Sequence, residues 1–283
     1  MDGAAEADRG AVAVSRREGW LLPGIAGGRA LVTGGSRGIG RAVVRMLASM
    51  GASVGIAYHA AENAAGEALD EANEVSPGEP ASGVGRSATF WTHQGDLSSE
   101  ADVERLFDRV GAEFGGLDFF VGNAGIWNEI EIQLEHLASK EWRAMIEANL
   151  TSIYLTTRQA ISCMERGGRV VLLSSTAGQR GEAGHSHYAA SKGAIISFCK
   201  SLATELGPRG ITVNAVAPGW VDTDMSASVL RAPAAERVAA EIPLGRVASA
   251  EDVAGPTCFL LSDLARHVTG EVLNVNGGSV LCG

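Results

Sequence analysis

Strand-length apolar runs alternate with helix-length segments along most of this 283-residue chain, and that alternation restricts its fold more than any other feature. Seven such runs occur, at residues 30–33, 53–58, 88–94, 117–121, 170–174, 211–217 and 272–276. Because a helix-length segment separates successive runs, each connection can cross the sheet and bring the next strand in parallel. The pattern therefore predicts an α/β fold, a doubly wound parallel sheet of about seven strands with helices on both faces.

The same pattern divides the chain into an arm and one domain. Residues 1–27 mix alanine, glycine and both charge signs without periodicity, so we expect a flexible arm there. Residues 28–283 would form a single domain, since 46% of the chain is hydrophobic and can fill one core. Prolines and glycines predict a surface loop at 75–87. The segment 219–249 follows the sixth strand, where it could act as a lid over a ligand.

Composition excludes several classes of function. The formal net charge is −10 and the basic residues are scattered, so we expect neither a nucleic-acid partner nor an anionic membrane surface. No apolar run approaches the roughly 20 residues of a membrane span. The cysteines, Cys163, Cys199, Cys258 and Cys282, form no C-x-x-C pair. This spacing predicts reduced thiols in a cytoplasmic protein, with no disulfide framework or zinc site.

Tyr188 and Lys192 have the clearest chemistry in the chain. They lie four residues apart in the run S-H-Y-A-A-S-K-G, so a helix would place both side chains on one face. A free phenol titrates near pH ~10, and an ammonium group beside it favours the phenolate. The pair could therefore supply an acid or base near neutrality. An ordinary pair of solvated helix residues is the alternative.

A glycine-rich segment follows the first predicted strand. Its sequence from Thr33 to Gly40 is T-G-G-S-R-G-I-G, and a helix is predicted over residues 41–50. Glycines in this context let the backbone and the helix N-terminus approach a pyrophosphate. The alternative is a turn shaped only for close packing of strand against helix.

Taken together, these motifs resemble the short-chain dehydrogenase/reductase family. The matching elements are Thr33-Gly34-x-x-x-Gly38-x-Gly40, Asn123-Ala124-Gly125, Asn149, Ser175, Tyr188-x-x-x-Lys192 and Pro218-Gly219. Their order and spacing match over residues 28–283. The resemblance implies a Rossmann-like fold and an NAD(P)-dependent oxidoreductase that moves hydride between nicotinamide and a ketone or secondary alcohol.

The resemblance implies a catalytic tetrad of Asn149, Ser175, Tyr188 and Lys192. Tyr188 would exchange a proton with the substrate oxygen, and Ser175 would hydrogen-bond that oxygen. Lys192 would lower the pKa of the tyrosine and bind the nicotinamide ribose. Asn149, within a helix predicted over 140–164, would position a water that links Lys192 to solvent. Singly, Asn149 could be a surface amide and Ser175 a hydroxyl that bonds its own turn.

The resemblance also implies a set of cofactor contacts. They are Thr33, Gly34, Ser36, Arg37, Gly38, Ile39, Gly40, Tyr58, His59, Asp96, Leu97, Asn123, Ala124, Gly125, Tyr188, Lys192, Pro218, Gly219, Val221 and Thr223. Asp96 and Leu97 would contact the adenine, although Asp96 and Ser98 could instead begin the next helix as caps. The family usually has a doubled asparagine where this chain has Gly122 and Asn123, so one side-chain support of that loop is missing.

Cofactor preference depends on the end of the second strand, where NAD enzymes place a carboxylate for the ribose hydroxyls. Tyr58 occupies that position, and no acidic residue occurs between residues 51 and 61. Arg37 and His59 could meet a 2′-phosphate. NADP(H) is therefore predicted, with NAD(H) as the alternative, and Arg37 could instead be a solvated loop residue.

Three functions remain open for a small carbonyl or alcohol substrate. The run 209–219 is most similar to 3-oxoacyl carrier-protein reductases, and Arg166 and Arg209 fall where those enzymes present basic residues to an acidic carrier protein. This similarity favours an NADPH-dependent ketone reductase, with a carrier-protein or CoA thioester as one substrate. The alternatives are a sugar or secondary-alcohol dehydrogenase, and a non-catalytic regulator that binds the cofactor. The family forms four-helix interfaces from the helix preceding the fifth strand and the helix that holds Tyr188, which further implies a homotetramer or dimer, with residues 271–283 in another contact.

The predicted substrate-pocket walls have a mixed composition. They carry Trp127, Gln179, Arg180, Glu182, His185, Trp220 and Met225. Arg180 and Glu182 could simply pair at the surface. His185 and His187 have the spacing of a metal pair, but no second ligand cluster accompanies them, so no metal is expected.

Overall fold

The computed structural model describes residues 22–77, 87–231 and 233–282. Most of the predicted arm and residues 78–86 of the predicted loop lie outside these ranges. The end of the predicted arm differs from expectation, because it packs on the domain. Ile25 is fully buried, and the backbone N–H of Asp263 donates to the carbonyl of Pro23 at 2.8 Å.

The described strands form one seven-stranded parallel sheet in the order β3-β2-β1-β4-β5-β6-β7. They are β1 (Arg29–Thr33), β2 (Ser53–Tyr58), β3 (Phe90–Gln94), β4 (Leu117–Gly122), β5 (Met164–Leu173), β6 (Thr212–Pro218) and β7 (Val272–Val275). The predicted fold class is thus confirmed. The order reverses between β1 and β4, which opens a crevice at the carboxyl ends of these strands.

The start of β5 lies earlier than the sequence pattern predicts. Met164 pairs with Leu117, and the register then shifts before Arg169 pairs with Phe119. Residues 165–167 are exposed, and Gly167 has a φ of +89°. The polar, glycine-containing bulge interrupts the apolar pattern, which explains why only the later part of the strand is visible in the sequence.

Helices cover both faces of the sheet. They are α1 (Gly38–Ser49), α2 (Glu62–Val75), α3 (Glu100–Phe114), α4 (Ser139–Ile146), α5 (Ser152–Ser162), α6 (Thr176–Arg180), α7 (Ser186–Leu206), α8 (Ala234–Glu241) and α9 (Ala250–Leu261). One apolar core packs α1 and α9 against the sheet, with Leu47 and Val253 in its centre. A second core packs α3, α5 and α7 on the other face through Leu106, Ile153 and Ile195. Within the described ranges, no helix is long and apolar enough to cross a membrane.

A π-helical turn at Glu147–Thr151 interrupts the helix predicted over 140–164 and separates α4 from α5. Asn149 lies in this turn and is fully buried. Single π-turns are rare and occur often at functional sites, because the wider turn redirects a side chain that a regular helix would aim elsewhere. Here the turn lies beside the carboxyl end of β4.

Candidate active site

The carboxyl ends of the central strands border a cavity of about 1350 Å³, including its open mouth. Nine of the predicted catalytic and cofactor residues, together with others, line it: Ile39, Asn123, Gly125, Ser175, Tyr188, Lys192, Pro218, Gly219 and Val221. The fold therefore brings together residues that lie up to about 180 positions apart in the chain, as expected for the crevice of an open α/β sheet.

The glycine loop is held tightly between β1 and α1. Gly34 has a φ of +64°, and a Cβ on Gly40 would lie 2.2 Å from the carbonyl oxygen of Gly34. These two positions accept only glycine without movement of the backbone. The residue before α1, Arg37, makes no side-chain cap, which leaves the first N–H groups of the helix available to an anionic phosphate.

Asn123 ties this loop to the end of β4. Its Nδ2 donates to the carbonyls of Thr33 at 3.0 Å and Gly34 at 3.1 Å, and its backbone N–H donates to Oγ1 of Thr33 at 3.0 Å. At Gly122, a Cβ would lie 2.8 Å from Cδ2 of Leu172. Leu172 therefore occupies space that the side chain of a second asparagine would need.

Tyr188 and Lys192 project from α7 toward Ser175, which follows β5. Nζ of Lys192 donates to the carbonyl of Leu173 at 2.9 Å and lies 5.9 Å from the centroid of the Tyr188 ring. Oγ of Ser175 accepts the backbone N–H of Ala177 at 3.1 Å. Ser175 thus bonds its own turn, as the alternative held, but only as an acceptor. Its own proton remains available to an oxygen in the cavity.

Asn149 is no surface amide. Its Oδ1 accepts the N–H of Ile126 at 2.7 Å, and its Nδ2 donates to the carbonyl of Ile126 at 2.9 Å. A Cβ on Gly125 would lie 3.1 Å from Oδ1 of Asn149 and 3.4 Å from Nζ of Lys192. The asparagine therefore holds the loop after β4 against the base of the site, close to the lysine.

Burial moves the pKa values of the tyrosine and the lysine in opposite directions. It raises the pKa of Tyr188 to about 12, with the nearby Ser175 hydroxyl, which can donate to the phenolate, opposing the rise and the carboxylate of Glu182 adding to it. It lowers the pKa of Lys192 to about 8. That Lys192 lowers the pKa of the tyrosine stays a prediction, and desolvation of the phenolate is the largest influence on that pKa here. At neutral pH the phenol keeps its proton.

The cofactor residues predicted at β2 and β3 lie farther along the same edge. Tyr58 is buried, and the exposed His59 accepts a hydrogen bond at its carbonyl from Gln94 at 2.9 Å. The exposed guanidinium of Arg37 lies 3.6 Å from the carboxylate of Asp224. Such an exposed ion pair is weak, so a phosphate could displace the carboxylate.

Asp96 and Ser98 do not cap α3. Ser99 does, since its hydroxyl accepts the N–H of Asp102. Asp96 instead accepts hydrogen bonds from the N–H of Ser98 at 3.0 Å and its hydroxyl at 2.7 Å, which lower the pKa of the carboxyl. The carboxylate is exposed beside the buried Leu97, at the position where an adenine contact is predicted.

The predicted lid segment covers part of the cavity. Val221 pairs with Ala248, and a Cβ on Gly38 would lie 3.2 Å from Cγ2 of Thr223. Thr223 thus packs over the glycine loop. The later helix α8 contributes Val238 to the cavity lining.

The pocket walls show both expected and unexpected residues. Trp127, Arg180, Glu182, Trp220 and Met225 line the cavity as predicted. His185 lies behind Trp127, and Nε2 of Gln179 donates to Asn274 at 2.6 Å. Sequence reasoning missed Ile242, Ser279 and Val280, which no local motif marks.

The structure also bears on the possible Arg180–Glu182 ion pair and on the spacing of His185 and His187. Arg180 and Glu182 form no ion pair there, since no nitrogen and oxygen of theirs lie within 4.0 Å. His185 and His187 belong to no group of three or more metal-ligating side chains in the same ranges. An ion pair with Arg180 therefore does not explain the position of Glu182, and the positions of the two histidines also remain to be explained.

Comparisons with known proteins agree with this fold. The family model described as enoyl-(acyl carrier protein) reductase matches residues 34–279. The 3-oxoacyl-[acyl-carrier-protein] reductase FabG of Escherichia coli is 39% identical over 251 residues, which are 88% of this chain and 96% of that relative. FabG of Aquifex aeolicus is 39% identical over 252 residues, with the same coverage.

Solved structures agree as well. A short-chain dehydrogenase from Burkholderia cenocepacia in complex with NADP superposes with a TM-score of 0.81 at 34% identity, covering 90% of this chain and 98% of that one. A dehydrogenase/reductase from Sinorhizobium meliloti has a TM-score of 0.81 at 33% identity, covering 90% of this chain and 96% of that one. Fold and relatives together define the class as an NAD(P)-dependent oxidoreductase. The chain belongs to the short-chain dehydrogenase/reductase family.

Proposed function

We propose that this protein uses NADPH to reduce a ketone to a secondary alcohol, with Tyr188 as the proton donor. The observation that carries the proposal is the meeting of Ser175, Tyr188 and Lys192 at one cavity, where loss of hydration also raises the pKa of Tyr188 to about 12. Carbonyl reduction requires a proton on the oxygen, and a phenol that stays protonated can supply it. Alcohol oxidation requires the phenolate, which this environment disfavours.

Each residue of the site has its own role in the proposed reduction. NADPH, when bound, supplies the hydride that attacks the carbonyl carbon. Tyr188 donates its proton to the oxygen as the carbonyl π electrons move onto it, and the Ser175 hydroxyl stabilises the developing charge. Lys192 holds its ammonium between this pair and the predicted ribose site. Asn149 keeps the loop of Gly125 in place through its two bonds to Ile126.

Three features support NADP(H) over NAD(H). Tyr58 occupies the end of β2 without a carboxylate, and Arg37 and His59 are exposed beside it. The Burkholderia cenocepacia relative was solved with NADP. A 2′-phosphate would meet a cation at Arg37 instead of a repelling carboxylate.

The names of the FabG relatives make a 3-oxoacyl thioester the first substrate to test. The two arginines considered for a carrier protein already have backbone partners. Nη2 of Arg209 donates to the carbonyls of Ile161 at 3.0 Å and Met164 at 2.6 Å, and Nη2 of Arg166 donates to that of Pro208 at 3.3 Å. These bonds account for Arg209 structurally, so a CoA thioester is as good a first probe as a carrier-protein thioester.

The test is a steady-state screen of acetoacetyl-CoA, simple ketones and sugars, each with NADPH and with NADH. We expect NADPH oxidation with at least one ketone and a lower kcat/KM with NADH. Equal kcat/KM for the two cofactors would contradict the cofactor assignment. Intact NADPH binding without turnover over the whole panel would favour the non-catalytic regulator. The cytoplasmic location remains a prediction.

A further inference from the structure

One wall of the cavity combines two indole rings with a carboxylate. Trp127, from the loop after β4, and Trp220, from the loop after β6, lie 5.8 Å apart between ring centroids at an interplanar angle of 88°. Glu182, from the loop between α6 and α7, lines the same cavity. We call these three residues the aromatic corner. Two perpendicular rings offer a ligand a face and an edge at once, which suits a flat ring.

Packing within the protein fixes the position of Trp127 in the aromatic corner. The imidazole of His185 stacks on Trp127 at 5.2 Å between centroids and 23° between planes. His185 is only 4% exposed, and neither of its ring nitrogens has a hydrogen-bond partner among the described residues. Its place in the fold is therefore explained by packing under Trp127. A wall fixed in this way loses little conformational entropy when a ligand binds.

Glu182 is the unusual member of the corner. Its side chain is only 18% exposed, and its nearest basic group in the described residues is Nδ1 of His185 at 3.9 Å, beyond hydrogen-bond distance. No described residue donates a hydrogen bond to its carboxylate oxygens, so the carboxylate is available to pair with a cation that a ligand brings.

No other charged group of the described residues around the cavity pairs with Glu182. Arg180 is exposed and forms no ion pair with any carboxylate of the described ranges. Nζ of Lys192 is directed to the carbonyl of Leu173. The remaining carboxylate, Glu241, is exposed on α8 and adds negative charge. Among the described residues, the carboxylate of Glu182 is therefore left without a cationic partner and can pair with a positive group of a ligand.

Resting on the proposed function, we propose that the aromatic corner selects ketones that carry an aromatic ring and a protonated amine. The ring would pack against Trp127 and Trp220, and the ammonium would pair with Glu182. Indole rings attract cations through their negative faces, and a carboxylate beside them adds a direct ion pair. The substrate class is then a cationic aryl ketone, distinct from a linear acyl thioester.

The test compares three aryl ketones of similar size at saturating NADPH. They are 4-(aminomethyl)acetophenone, its uncharged counterpart 4-ethylacetophenone, and the anionic 4-acetylbenzoate. We expect kcat/KM to be about tenfold higher for the ammonium ketone than for the ethyl ketone, and lowest for the carboxylate. Glu182→Gln should reduce that ratio to near one. Glu131→Gln is the matched control, because Glu131 is exposed on a neighbouring loop, and it should leave the ratio unchanged.

A ratio near one in the unaltered protein, or a ratio that survives Glu182→Gln, would overturn the proposal. Preference for 4-acetylbenzoate would assign the selection to Arg180 instead. Calorimetric titration with 4-ethylbenzylamine separates the two proposals, since it reads binding without turnover. Tighter binding to the unaltered protein than to Glu182→Gln would support the corner even if no ketone were reduced. Equal binding by both proteins would contradict it.

Discussion

The pair Tyr188 and Lys192 shows how one cavity can shift two pKa values in opposite directions. Loss of hydration disfavours both charged forms, so it raises the pKa of the phenol and lowers that of the ammonium. The values of about 12 and about 8 leave a neutral phenol and a protonated amine as the main forms at neutral pH. The protonation state that ketone reduction needs is therefore the resting state of the site.

A pH dependence of reduction follows from this pair. Because the pKa of Lys192 is lowered to about 8, its ammonium is present below that pH and is lost above it. We expect kcat/KM for NADPH, which reports groups of the free enzyme, to fall as the pH rises through about 8. Lys192→Arg, which keeps its charge, should remove that fall from any residual activity. A profile that stays flat to pH 10 would contradict the role given to the lysine.

Arg37 is the residue to which we assign the preference for NADP(H). Its guanidinium is 58% exposed and pairs loosely with Asp224, so it can turn to a 2′-phosphate at little cost. Arg37→Ala should raise KM for NADPH about tenfold and change KM for NADH little. Asp224→Asn is the control and should not weaken NADPH binding. Similar losses for both cofactors in Arg37→Ala would indicate a general loop defect instead.

Asn149 lies in the π-turn between α4 and α5, so it supports the structure there as well as belonging to the candidate active site. Asn149→Ala would leave the N–H and the carbonyl of Ile126 without their side-chain partner. We expect a loss of about 1–3 kcal/mol in the free energy of unfolding, measured by urea denaturation. Asn149→Asp keeps the acceptor but places a buried carboxylate against the carbonyl of Ile126, so it should lose at least as much stability as the alanine variant. A change below about 0.5 kcal/mol in Asn149→Ala would contradict the anchoring role.

The elements also show where prediction from sequence succeeds and fails. Apolar runs mark all seven strands because buried parallel strands are apolar throughout. The early start of β5 is hidden by its exposed bulge. The π-turn is equally hidden, since one extra residue in a helical turn hardly alters apolar periodicity. The pKa of Tyr188 could not be predicted from spacing, because it depends on burial that only the folded loops create.

Part of the candidate active site can also be predicted from the sequence. Short motifs mark the glycine loop and the residues around Tyr188, because these positions need particular residue types. The corner formed by Trp127, Glu182 and Trp220 is assembled from three loops. Their mutual geometry carries no local signature, so the predicted pocket walls could not indicate a substrate.

At the scale of the whole molecule, the exposed apolar side chains of α4 and α5 bear on assembly. Trp142 is 39% exposed and Tyr154 is 44% exposed, on the helices that the family resemblance assigns to a subunit interface. We expect a dimer or tetramer by light scattering at micromolar concentration, and Tyr154→Glu should shift it toward smaller species. The exposed Leu264→Glu change, away from these helices, is the control. A monomer mass for the unaltered protein would contradict the prediction.

The central claim concerns the whole catalytic arrangement, in which Tyr188 transfers a proton in a cavity that also holds the cofactor. Tyr188→Phe removes only the phenolic hydroxyl. The decisive measurement is kcat for the best ketone in this variant, together with the Kd for NADPH. We predict a fall in kcat of about 10³-fold with the Kd within about twofold of the unaltered protein. Turnover at the unaltered rate would contradict the account.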